Sequence, residues 1–247
     1  MIGFIDSGIG QLPYALAVRR LLPNHPLVLS LDPDYMPWGD LTTTALTERT
    51  LTSLELLLSK GADVVVIACN TASVHALPAL RDAAPADVPI VGTVPAVKVA
   101  ARGGLEPTTV WATPATVGSD YMARLIRAAG LREPVQQVSC PDLAAAIESG
   151  EPGRLARALA AAVAETNLTS RSVVLGCTHY SLVREAIAAA IPHCVILDST
   201  EGVARQVARL APAVTAPGAT SCSVFSSGRQ GQLPEVSYLY GPFSTAL

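Results

Sequence analysis

Two cysteines stand where a chain can make a thiol reactive. Cys69 follows the run Val64-Val-Val-Ile-Ala68 and precedes Asn70-Thr-Ala-Ser73, while Cys177 follows Ser172-Val-Val-Leu-Gly176 and precedes Thr178-His-Tyr-Ser181. Such β-branched and aliphatic runs predict strands buried on both faces. The small polar residues after each cysteine suit the start of a helix. A thiol at that junction faces unpaired backbone N–H groups and the positive end of a helix dipole, which favour the thiolate. Two such thiols suggest a paired chemical task.

The pairing extends to the segments before each cysteine. Asp6 ends Ile2-Gly-Phe-Ile-Asp6 and lies 63 residues before Cys69; Thr113 ends Thr108-Thr-Val-Trp-Ala-Thr113 and lies 64 residues before Cys177. Each half thus has a first strand running into a polar loop and a later strand ending in a cysteine. The expected fold class is α/β: two pseudo-symmetric parallel-sheet units, with the active site in the cleft between them. Open parallel sheets bind ligands at the carboxyl ends of their strands, where these polar residues fall.

Strands are predicted near 2–6, 27–31, 63–69, 89–93, 108–113, 135–139, 172–177 and 194–198. Helical spacing fills the gaps, as over 42–60 and 154–165, and this alternation is the α/β pattern. Asp198-Ser-Thr-Glu201 predicts a helix start and Gly61 a helix stop. Residues 211–218 read as a Pro- and Ala-rich connector. Segments 221–226 and 236–240 are expected to pack back on the first unit. The domains expected are therefore 1–94 plus about 205–247, and 95–204.

Composition narrows the partners. The chain has 247 residues, half of them apolar, and a net charge of −3, which gives no field for nucleic acid. No stretch is long and apolar enough to span a membrane, and the N-terminus lacks a signal-peptide pattern, so a cytoplasmic location is expected. Five cysteines without CxxC spacing favour neither a disulfide framework nor a zinc site.

The motifs together resemble the glutamate racemases. Asp6-Ser-Gly-Ile-Gly10, Pro37-Trp-Gly39, Ala68-Cys-Asn-Thr-Ala-Ser73, Gly92-Thr-Val-Pro-Ala-Val-Lys98, Thr113-Pro-Ala-Thr116 and Gly176-Cys-Thr-His-Tyr180 follow that family's motif set in order, over residues 2 to about 210. The resemblance implies the aspartate/glutamate racemase fold and a cofactor-independent interconversion of L- and D-glutamate for peptidoglycan. It implies Cys69 and Cys177 on opposite faces of the substrate Cα, with Asp6 beside the first and His179 and Glu148 as helpers of the second. Ser7, Pro37, Trp38, Gly39, Asn70, Thr71, Thr113, Thr116 and Thr178, with Asp6 and His179, match positions that hold the substrate. No metal and no cofactor are expected; the expected partner is a small molecule, glutamate, and a homodimer is allowed.

Two thiols suit the reaction because a weakly acidic proton leaves one face of Cα and another arrives from the opposite face. Each residue also has a plainer role. A lone strand-end cysteine ordinarily packs as a small hydrophobe, Asp6 can cap a helix, and Glu148 can be an exposed helix end. His25, His75 and His193 read as structural residues without partners, and Cys140, Cys194 and Cys222 as packing residues. Gln11, Trp38 and Ser181 stand where the family usually has glycine, tyrosine and proline. Trp38 removes a phenol hydroxyl and adds bulk, so a racemase acting on aspartate or a related acid, or a non-catalytic binding paralogue, remains an alternative. A thiol redox protein would instead need the two sulfurs within about 2 Å. A pyridoxal-phosphate enzyme needs a placed lysine, and only Lys60 and Lys98 are present.

Overall fold

The structure, a computed structural model, describes residues 1–131, 134–213, 221–241 and 243–247. Most of the 211–218 connector lies outside the described residues. Among the described residues there are ten strands: β1 (Ile2–Asp6), β2 (Leu27–Leu31), β3 (Val64–Ile67), β4 (Ile90–Gly92), β5 (Thr108–Ala112), β6 (Gln136–Ser139), β7 (Ser172–Leu175), β8 (Val195–Leu197), β9 (Cys222–Ser226) and β10 (Arg229–Gly231). The chain divides into two units, Met1–Thr93 with Thr200–Leu247, and Val94–Ser199.

The first unit is built on a six-stranded sheet of order β10-β9-β2-β1-β3-β4. Every residue of β1, β2 and β3 is buried, which is why these strands read as unbroken apolar runs rather than alternating ones. The helix Thr43–Ser59 starts where the Thr42 hydroxyl accepts the Ala45 N–H at 3.3 Å, and it stops at Lys60 before Gly61, whose φ of 81° suits glycine. Its buried Leu46, Leu54 and Leu57 face the sheet. Gly3 in β1 leaves room for Leu57: a Cβ there would come within 2.7 Å of Leu57 Cδ1. The tail returns to this unit. β9 pairs in parallel with β2 and β10 antiparallel with β9.

The second unit carries a four-stranded parallel sheet of order β6-β5-β7-β8. This is the order of β2-β1-β3-β4 over again. In each unit the first strand is flanked by the second and third, and the fourth pairs with the third. Trp111 in β5 is fully buried and its indole N–H donates to Thr166 Oγ1 at 2.8 Å, which ties the sheet to the end of the helix Pro152–Glu165.

His25 is a departure from the expected partnerless histidine. It is buried, and its Nε2 lies 2.9 Å from the carbonyl of Pro212. Nearby Arg19 buries its guanidinium and donates to four carbonyls, of Pro23, His25, Ser221 and Leu247. Burial lowers the pKa of Arg19, and these carbonyls accept from its two terminal nitrogens, while Nε is buried without a hydrogen-bond partner.

Candidate active site

Both cysteines sit at the carboxyl end of a fully buried strand and cap the turn that follows. Cys69 precedes the helix Asn70–His75 with extended backbone (φ −141°, ψ 121°), and Cys177 precedes the 3₁₀ helix Thr178–Val183 with φ −138° and ψ 138°. The two backbones nearly superimpose in dihedral terms. The turns differ: one is α-helical, the other 3₁₀.

Strand register corrects the expected equivalence of Asp6 and Thr113. Ala68 N–H donates to Ile5 O at 2.8 Å, and Gly176 N–H donates to Trp111 O at 2.7 Å. Ile5 is therefore the counterpart of Trp111, Asp6 of Ala112, and Ser7 of Thr113. The ladder pairs Ile5 with Ile67 and Trp111 with Leu175, so its continuation sets Ser7 beside Cys69 and Thr113 beside Cys177. A hydroxyl-bearing residue thus stands at the same register position beside each cysteine. Asp6, in contrast, has no carboxylate counterpart in the second unit.

In the first unit the strand ends gather Asp6, Ser7, Cys69, Asn70 and Thr71, all buried. Asp6 Oδ1 accepts the Ser7 N–H at 2.7 Å and its hydroxyl at 3.4 Å. Asn70 is 2% exposed, yet neither its amide nitrogen nor its amide oxygen has a hydrogen-bond partner. A buried amide left this way costs free energy unless a ligand completes it. The 3₁₀ turn Trp38–Asp40, preceded by Pro37, packs on the helix that follows Cys69. Trp38 is 1% exposed and belongs to the same buried cluster as Ile67, Cys69 and Ala72. Its only ring donor is already used, by Asp32 Oδ2 at 3.0 Å, so Trp38 presents a hydrocarbon wall where a tyrosine would present a hydroxyl. Gln11 fills a buried place with an amide that donates to the carbonyls of Gly8 (3.4 Å) and Ser30 (3.2 Å), a stitching role a glycine cannot perform.

In the second unit the strand ends gather Thr113, Thr116, Cys177, Thr178 and His179. Thr113 and Thr116 hydroxyls lie 3.2 Å apart across a turn closed by Thr116 N–H on Thr113 O. Helix Leu143–Ser149 carries Glu148, whose Oε2 is 2.8 Å from His179 Nε2. Glu148 is therefore no solvent-facing helix end; only 16% of its side chain is exposed. Tyr180, fully buried, donates its hydroxyl to Cys140 O at 3.2 Å and fixes the turn that carries His179.

The remaining thiols are raised by their surroundings. Burial, with the nearby Cys177, pushes Cys140 up to about 12, and burial pushes Cys222 up to about 11 and raises Cys194. They stay protonated at neutral pH, as packing residues should. Among the described residues no group of three His, Cys, Asp or Glu side chains is placed to hold a metal ion, and no helix is long and apolar enough to cross a membrane.

The sequence signal did not single out Asp32. It ends the apolar run of β2, and its carboxylate holds Trp38, Arg49 and Ser227 together.

A family model described as Asp/Glu/Hydantoin racemase matches residues 37–207. The chain belongs to this racemase family. Curated relatives agree: a glutamate racemase of Pseudomonas putida is 37% identical over 216 residues, covering 85% of this chain and 80% of the relative. One from a Roseiflexus species is 38% identical over 216 residues, covering 85% and 78%. Among solved structures, the Escherichia coli glutamate racemase in complex with L-glutamate and the activator UDP-MurNAc-Ala aligns with a TM-score of 0.79 at 30% identity, covering 91% of this chain and 88% of that one. The Aquifex pyrophilus glutamate racemase aligns at 0.74 and 27% identity, covering 96% and 92%. The family's two-unit α/β fold is the fold described above.

Proposed function

We propose that this chain racemises glutamate by a two-thiol mechanism, Cys69 serving one face of Cα and Cys177 the other, and supplies D-glutamate for peptidoglycan as a cytoplasmic enzyme. The observation that carries this is the repeated strand end: the same sheet order, the same backbone at each cysteine and the same flanking hydroxyl, Ser7 or Thr113. A duplicated site with one thiol per copy suits a reaction that takes a proton from one side and gives one from the other. Glutamate as substrate is supported by relatives named glutamate racemase and by the structure that holds L-glutamate.

In the D to L direction, the Cys69 thiolate takes the Cα proton and the Cys177 thiol delivers one to the opposite face. The reverse direction exchanges their roles. Asp6 assists at Cys69, and the Glu148–His179 pair assists at Cys177. Ser7, the Pro37–Gly39 turn, Asn70 and Thr71 bind the substrate from the first unit. Thr113, Thr116, Thr178 and His179 bind it from the second. The unpartnered Asn70 amide finds its donors and acceptors in the amino acid's ammonium and carboxylate groups. No cofactor enters the scheme. Lys60 supports this, since its ammonium lies 5.0 Å over the Phe225 ring, a structural cation–π contact.

Incubation of the purified protein with L-glutamate and, separately, L-aspartate in heavy water tests the reading. Exchange at Cα and decay of optical rotation are expected with glutamate and no added cofactor. Exchange with aspartate alone would move the reading to another acid, and exchange with neither would leave a binding protein. Dialysis against a chelator and a carbonyl reagent should leave the activity intact.

A further inference from the structure

Asp32 is a buried carboxylate, 1% exposed, that the reaction scheme does not use. Four donors surround it. Arg49 donates from NH2 to Oδ1 at 2.6 Å and from Nε to Oδ2 at 2.8 Å, Trp38 Nε1 donates to Oδ2 at 3.0 Å, and the Ser227 hydroxyl donates to Oδ1 at 2.8 Å. Each oxygen thus accepts two hydrogen bonds, which fills the capacity of an ionised carboxyl group. Burial alone would raise its pKa; the bonds from Arg49, Trp38 and Ser227 outweigh burial and hold it below the usual carboxylate range. Its own backbone N–H donates to Ser7 O at 3.2 Å.

Ser227 deepens the pattern. It opens the two-residue turn between β9 and β10 with φ 45°, the one non-glycine residue at positive φ among the described residues, and Gly228 follows at 81°. Glycine or asparagine is the favoured residue at that place. Serine keeps a hydroxyl there that reaches Asp32 while accepting the Asp34 N–H at 3.3 Å. Ser227 also lies beyond the segment 37–207 that matches the family model.

We infer that Asp32 is a positioning residue of the Cys69 half of the site, holding the Ser7 peptide and the Trp38 wall in one frame, and that Ser227 of the tail hairpin completes that frame. The inference rests on the proposed racemase reading, because it assigns Ser7 and Trp38 to the substrate. It acts on substrate binding rather than on proton transfer, since neither residue touches a thiol.

Ser227→Gly tests it with the turn kept, because glycine adopts the left-handed conformation more readily than serine while removing the hydroxyl. KM for glutamate should rise about three- to tenfold with kcat within about twofold, as expected for losing one buried hydrogen bond in the frame. Asp32→Asn should raise KM further. Fluorotryptophan labelling adds a readout independent of activity: of the two tryptophans, the Trp38 fluorine resonance should shift in Ser227→Gly while Trp111 stays in place. An unchanged KM with an unmoved Trp38 resonance overturns the inference. So does a fall in Tm with both resonances shifted and KM unchanged, which marks a merely structural residue. If Asp32→Asn does not fold, Ser227→Gly decides alone. If the wild-type protein racemises nothing, the functional reading has failed, and the fluorine shift still judges the frame.

Discussion

Residues carry the chemistry unequally. Cys69 and Cys177 share a backbone conformation and a neighbouring hydroxyl residue in the ladder, but the helpers proposed for them have different origins: Asp6 comes from the neighbouring strand, Glu148 from a helix through His179. Replacing either cysteine by serine leaves a far poorer base, so racemisation should fall ~10²–10⁴-fold in both directions. One-sided chemistry should survive. With a β-chloro or N-hydroxy glutamate that eliminates after one deprotonation, Cys69→Ser should act on the L isomer and Cys177→Ser on the D isomer. Elimination from the same isomer by both variants would falsify the assignment of one thiol to each face. The other thiols offer a second check. With Cys140 pushed to about 12 and Cys222 to about 11, peptide mass mapping after brief iodoacetamide treatment at neutral pH should find neither alkylated. Carbamidomethyl groups on either would contradict their protonation.

Elements place these residues, and most of them were legible in the chain. Buried parallel strands announce themselves as apolar runs, so β1 and β2 begin and end where the pattern says, while β3 and β7 stop two residues short of their cysteines, which keep an extended backbone as the first residue before each following turn. The resemblance to a racemase family was readable from the two cysteine motifs. What spacing could not give was register. Counting residues set Asp6 against Thr113, whereas the ladder sets Ser7 there, because the second unit has two more residues between the flanking hydroxyl and its cysteine. The Asp32 frame escaped notice for the same reason: its partners, Trp38, Arg49 and Ser227, are scattered through the sequence and meet only in three dimensions. At this scale Gly176 is the informative position. A Cβ there would meet Trp111 O at 2.8 Å and Ala112 Cβ at 2.9 Å, both tied to a strand that cannot retreat. Gly176→Ala should cost about 1–3 kcal/mol of stability and displace Cys177, with a fall in kcat. Gly3→Ala meets the Leu57 side chain first, Cδ1 at 2.7 Å and Cδ2 and Cγ at 3.2 Å, rather than backbone, and should be milder; denaturant unfolding of both variants checks the order.

At the scale of the whole molecule, acid stability follows from the buried carboxylate. A depressed folded-state pKa at Asp32 contributes stability that is present above the unfolded value of about 3.9 and lost as pH falls through the lower folded value. The stability gap between wild type and Asp32→Asn should therefore be full near neutrality and close below about pH 4; urea titrations from pH 7 to 3 measure it. A gap that widens on acidification would refute the sign. The tail has a comparable global role. Without residues 221–247 the β2 edge would stand unpaired and Arg19 would lose two of its four carbonyls, so the truncated chain should form larger assemblies in light scattering than the full chain does.

That discontinuous sheet has a consequence for birth on the ribosome. The strands of the second unit are complete once residue 199 has emerged, but the first unit, although it begins at Met1, still lacks β9 and β10 at that moment. Synthesis order and completion order are thus reversed: the later-made unit closes first, and the earlier one waits with β2 uncovered. The nascent protein is most exposed to wrong pairing during the interval between residues 31 and 222, and a chaperone that shields a lone strand edge would find its opportunity there.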